Sequence, residues 1–98
     1  MATIAQWNFT SDGTSSVVTY EGTNPFQIEA SGTFGSGTVV VSSSLDGGTT
    51  FINLTNASFT ENARAGAYIP SRGEKFKATL TGSTTPNLNV FLVEVVKV

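Results

Sequence analysis

The chain contains neither histidine nor cysteine, so most of the residues that carry out chemistry in proteins are missing. Without histidine it lacks the commonest general base, the commonest metal ligand and the usual pH switch. Without cysteine it has no disulfide, thiolate ligand or thiol nucleophile. Seven carboxylates and three lysines remain as acid–base groups. Glu29, Asp46, Glu61, Glu74 and Glu94 show no motif that would pair them as the two acids of a glycosidase. Ser42-Ser43-Ser44 has no histidine or nearby lysine to activate a nucleophile. Asp12 and Asp46 lack the dense carboxylate spacing of a calcium loop. Gly32-x-x-Gly35-x-Gly37 has no helix behind it to bring an N-terminus to a phosphate. The residues predict no catalytic site, no metal and no cofactor.

One spacing does carry a local mechanism. Ser44-Leu45-Asp46-Gly47-Gly48-Thr49-Thr50-Phe51 fits Ser-x-Asp-x-Gly-x-Thr-aromatic and resembles the Asp-box hairpin of sialidases and other β proteins. The Asp46 carboxylate is placed to accept backbone N–H groups inside the turn. Gly47 and Gly48 permit positive φ, and Phe51 is expected to pack back on the returning strand. The role predicted for Ser44, Asp46, Gly47, Gly48, Thr50 and Phe51 is a structural turn. A single copy gives no support for a propeller, which needs several blades.

Composition narrows the remaining classes. At 98 residues the chain is expected to be one domain, spanning 1–98. Charged residues are 12% of it, whereas 26 are Ser or Thr. A hydroxyl-rich surface with few ions suits packing against neighbours, because hydroxyls are cheaper to desolvate than charges. Residues 1–60 carry Asp12, Glu21, Glu29 and Asp46 and no Lys or Arg, for a charge of −4. Residues 61–98 carry Arg64, Arg72, Lys75, Lys77 and Lys97 against Glu61, Glu74 and Glu94, for +2. With a pI near 4.8 and no basic stripe interleaved with aromatics, nucleic acid is not an expected partner. No run approaches the ~20 apolar residues of a membrane span, and Met1-Ala2-Thr3 does not open a signal peptide. Neither membrane nor secretory pathway is expected.

The elements that would position any site are strands. No window of helical apolar spacing is sustained, and short β-rich runs alternate with Gly, Asn, Asp and Ser clusters. The predicted strands are 3–10, 17–20, 26–30, 38–45, 50–54, 57–60, 65–69, 75–81 and 88–98, with 32–37 a loose Gly-rich stretch. Eight or nine short strands leave no room for a helical layer. The expected fold is all-β, a small antiparallel sandwich of immunoglobulin-like or jelly-roll type.

The last strand is apolar on both faces. Leu88, Val90, Leu92, Val96 and Val98 share one face with Glu94, while Phe91, Val93 and Val95 share the other. One face should meet the core. The candidate interface is Phe91, Val93 and Val95; the competing reading is cover within the chain by the strand of Trp7 and Phe9 or by a loop. Trp7, Tyr20, Phe34 and Tyr68 are candidates for a sugar-stacking platform, which would make the protein a carbohydrate- or receptor-binding module.

From Phe34 to Val98 the order is Gly35-x-Gly37, a Val-rich strand and the Ser44–Phe51 hairpin. Ala67-Tyr68-Ile69-Pro70, Arg72-Gly73-x-x-Phe76-Lys77-Ala78-x-Leu80-Thr81-Gly82 and a terminal apolar strand follow. This resembles the small structural proteins of tailed bacteriophages that decorate capsids or build tails and fibres. The resemblance implies a β-sandwich in the virion, made in the host cytoplasm. It would self-associate, as a trimer if it follows phage architecture, and would bind the major capsid protein or other virion proteins. It implies no catalytic residues.

Overall fold

The computed structural model describes residues 3–22 and 24–95. Among them are nine strands and no helix: β1 (Thr3–Phe9), β2 (Gly13–Thr14), β3 (Val18–Tyr20), β4 (Phe26–Thr33), β5 (Thr38–Ser44), β6 (Ile52–Phe59), β7 (Ala63–Tyr68), β8 (Glu74–Thr81) and β9 (Asn87–Glu94). They form two antiparallel sheets. One is ordered β1-β9-β4-β7 and the other β2-β8-β5-β6, with β3 also paired to β8.

The strand order decides between the two sandwiches that the sequence left open. β2 and β3 pair with successive lengths of β8 opposite β5, as two pieces of one interrupted strand. Counted as one, they leave eight positions, ordered 1-8-3-6 in one sheet and 2-7-4-5 in the other. This is the double Greek key of a jelly roll. An immunoglobulin sandwich joins several neighbouring strands within one sheet. Among the described strands, with β2 and β3 counted as one, only β5 and β6 form such a hairpin, and every other connection changes sheet.

Period-two patterning builds the core. β4 alternates buried Phe26, Ile28 and Ala30 with half-buried Gln27 and Glu29. β8 alternates Glu74, Phe76, Ala78 and Leu80, all buried, with Lys75, Lys77 and Thr79. Ala5, Trp7 and Phe9 of β1 and Leu88, Val90 and Leu92 of β9 join them from one sheet, with Val39, Val41, Ala57 and Phe59 from the other. Full burial of each large side chain here is worth about 1.5–3 kcal/mol, so this one cluster is the main stabilising term.

At one end the core is aromatic and the sheets are tied by polar bonds. Phe26 and Phe76 meet edge to face at 5.0 Å, flanked by Tyr20 and Tyr68. The Tyr20 hydroxyl on β3 donates to Glu94 on β9 at 2.8 Å. The Tyr68 hydroxyl on β7 donates to Glu74 on β8. Each bridge joins one sheet to the other. At the opposite end Gly35 sits at φ +61, where an added Cβ would lie 2.1 Å from the Thr84 carbonyl oxygen. Only glycine admits that approach.

Several boundaries differ from those read off the sequence. Two predicted strands, 50–54 and 57–60, are one strand, β6, bent where Asn56 adopts φ 64. The β5–β6 register jumps there, from Val40↔Ser58 to Ser42↔Asn53. Gly13–Thr14, expected to be part of a turn, pairs with β8. The last strand ends at Glu94; Val96, Lys97 and Val98 lie outside the described residues.

Candidate functional site

The turn between β5 and β6 has the internal bonding that its sequence predicts. The Ser44 hydroxyl donates to Asp46 Oδ1 at 2.6 Å and accepts the Gly48 N–H at 2.9 Å. Asp46 Oδ1 also accepts the N–H groups of Thr49 and Thr50, at 3.2 and 2.9 Å. Gly47 and Gly48 take φ 81 and 99. These donors, the Ser44 hydroxyl first and the Thr50 N–H next, hold the Asp46 carboxyl down at about 2. Phe51 is half-buried, with Lys77 Nζ of β8 4.1 Å from its ring centroid. A cation over a ring face is attractive, so the returning chain is held against β8. The Ser44 and Asp46 side-chain bonds all stay within the turn.

The candidate interface lies in the middle of a sheet. β9 runs between β1 and β4, so it is a paired strand, and what it exposes is a face. Leu88, Val90 and Leu92 point into the core. Phe91 and Val93 point the other way and are half-buried. Phe91 is flanked by Gln6 on β1 and Glu29 on β4, and Val93 by Thr3 and Gln27. Val95 is also half-buried but follows the strand, where its N–H donates to the Pro25 carbonyl at 2.8 Å. The N-terminal strand does not cover this face. β1 lies beside β9 in the same sheet and turns Trp7 and Phe9 inward. The apolar pair is therefore an island in a polar field, beside a shallow groove of about 270 Å³ lined by Gln27, Glu29, Arg64 and Val93.

The charged groups around the island are partnered. Arg64 Nε and Nη2 both donate to Glu29 Oε1, at 2.9 and 2.7 Å. This pair is solvent-exposed and worth little to stability. On the same face Asn8 Nδ2 reaches the Asn87 and Asn89 side chains and the Leu88 carbonyl. Asp12 spends its carboxylate on the Ser83 hydroxyl first, then on the Ser83 and Gly82 N–H groups, and these bonds lower its pKa. Among the described residues no three acids gather as a metal-binding group.

The four aromatics singled out as a sugar platform do not form one. Trp7, Tyr20 and Phe34 are buried at 6–8% exposure, and Tyr68 is half-buried with its hydroxyl committed to Glu74. Alternation along β1 accounts for Trp7, and the aromatic cluster at one end of the core for Tyr20 and Tyr68; Phe34 follows β4 and is buried in the same core. The exposed large apolar side chains are instead aliphatic: Val17, Leu45, Ile52 and Ile69. Sequence reasoning missed the burial of Glu74, at 2% exposure. Its oxygens accept from Tyr68 and from the Ser71 N–H, contacts that no local pattern announces.

Comparison with known proteins finds no matching family model, no matching curated protein and no matching solved structure.

Proposed function

We propose that the protein is a structural component of a tailed-phage particle, a capsid decoration or cement protein that acts by self-association and surface binding. It works by surface complementarity and carries out no reaction. The observation that supports this reading is the outer face of the β1-β9-β4-β7 sheet. Phe91 and Val93 stand there half-exposed in a field of Thr, Gln and Asn side chains whose one ion pair among the described residues is Glu29–Arg64, with no layer of the described residues across them. Desolvating such a field costs less than desolvating ions, and an apolar centre inside a polar rim is the anatomy of a protein–protein contact. The resemblance of residues 34–98 to phage structural proteins supplies the setting. A jelly roll hosts capsid and lectin domains alike, so the fold adds no preference of its own.

The test is co-sedimentation with heads of the encoding phage stripped of this protein. Wild type should pellet with the heads, and Val93→Asp should remain in the supernatant. Wild type that stays in the supernatant with heads, yet is retained on a glycan array, would overturn the reading in favour of a carbohydrate- or receptor-binding module.

A further inference from the structure

We propose that β1 is a self-pairing edge, and that two copies join β1 to β1 across a two-fold axis into one continuous eight-stranded sheet. The inference rests on the reading that the protein self-associates, and it names where two copies meet.

The sandwich has four sheet edges, and three of them are blunted. β2 and β3 are two and three residues long, interrupted at residues 15–17 where the Ser15 N–H turns in to the Ala78 carbonyl. β6 is bulged, with Asn56 at positive φ and a broken register against β5. β7 carries Arg64 and lies against β6 at the corner of the sandwich. Charge, bulges, brevity and cover are the devices that stop sheet edges from pairing.

β1 has few of these. Thr3–Phe9 is seven residues with no charge, no proline and no glycine. Among the described residues β9 is the one strand it pairs with, on one side only. The bulge it does carry falls between Thr3 and Ala5, which leaves Ala5–Phe9 in regular register. An open, uncharged row of N–H and C=O groups is a template for another strand.

A second copy is the occupant that charge and register favour. Across a two-fold the strand meets itself, so any charge on it would meet a like charge; β1 has none. Pairing must also keep core-facing side chains opposite core-facing ones, because a one-residue slip inverts every side chain. The two-fold centred on Gln6 meets that condition at the centre of the strand, setting Ala5 opposite the partner's Trp7, both core-facing, and the bulge between Thr3 and Ala5 leaves Thr3 and Ile4 outside the paired stretch. It also sets Gln6, which is exposed, opposite its own copy. The contact is isologous and closes at two chains. It places the two Phe91 side chains on one surface, three strand spacings or about 14 Å apart.

The experiment is a dilution series at low salt, following mass by light scattering for wild type, Gln6→Lys, Gln6→Glu and an equal mixture of the two variants. Wild type should have twice the 10.2 kDa chain mass. Each variant alone should raise the dissociation constant about two- to five-fold, the cost of like charges directly opposite across a strand pair. The mixture should return it to the wild-type value or below, a rescue that also shows both variants are folded. Equal constants for all samples, or a three-chain mass, would overturn the β1 contact. An oligomer that survives both Gln6 variants but dissolves in Phe91→Ser would overturn it while leaving self-association standing. A wild-type monomer that also ignores phage heads would overturn both readings.

Discussion

The Tyr20 hydroxyl donates to Glu94 Oε2 at 2.8 Å, and this bond crosses from one sheet of the sandwich to the other. It acts on both groups. The Tyr20 hydrogen bond, with help from Asn24, holds the Glu94 carboxyl below its ordinary value of 4.5. Burial first, and the Glu94 bond second, raise the Tyr20 phenol above 10.0. A lowered carboxyl contributes stability above its unfolded value and loses it as pH falls through the folded one. A raised phenol contributes below pH 10.0 and loses it as pH rises further. Stability should therefore fall off at both ends of the pH scale. Tyr20→Phe should flatten the alkaline arm and weaken the acid one. Urea denaturation across pH 3–11 reads both arms. An unchanged profile in Tyr20→Phe would contradict the bridge.

The Asp46 turn should open on its own acid limb. Its carboxyl is held at about 2 against an ordinary 3.8, so the contribution is complete above 3.8 and is lost as pH falls through 2. The amides of Thr49 and Thr50 should lose protection from exchange over that range, ahead of the core amides. Asp46→Ala should show the same exposure at neutral pH. Protection that persists at Thr49 and Thr50 in Asp46→Ala would show that other contacts hold the turn.

Neighbouring residues on β9 should behave in opposite ways. Leu92→Ala removes a fully buried side chain and should cost about 2–5 kcal/mol in urea denaturation. Phe91→Ser and Val93→Asp change half-exposed positions on the other face. They should leave the β-type circular dichroism intact while weakening self-association or head binding. If both unfold the protein, that face belongs to the core.

Gly35→Ala should be among the most damaging single changes outside the core. It demands φ +61 of an alanine and pushes its Cβ to 2.1 Å from backbone at Thr84. Backbone there cannot swing aside as a side chain can. The cost should be at least about 1–3 kcal/mol from conformation alone, read as a lower melting temperature.

Much of the fold was legible because alternation is a local signal. Phe26, Ile28 and Ala30 announce β4, and Phe76, Ala78 and Leu80 announce β8, without reference to any partner. The hairpin was legible for the same reason, since Ser44, Asp46 and Thr50 bond within seven residues. What failed to show depends on distant groups. The bulge at Asn56 splits β6 for a reader of propensities, yet pairing with β5 runs on either side of it. Gly13–Thr14 becomes a strand only because β8 lies alongside. Glu74 reads as a solvated charge until Tyr68 and Ser71 close over it. The choice between the two sandwiches lay wholly in strand order, which no single strand encodes. Trp7 and Tyr20 illustrate the same limit, because an aromatic's type does not say which side of a sheet it faces.

The most direct test of the central claim is the mass of the protein in solution, by light scattering behind size exclusion, with and without purified phage heads. The account predicts a mass above that of one 10.2 kDa chain and co-migration with the heads. A single-chain mass together with elution independent of the heads would contradict it.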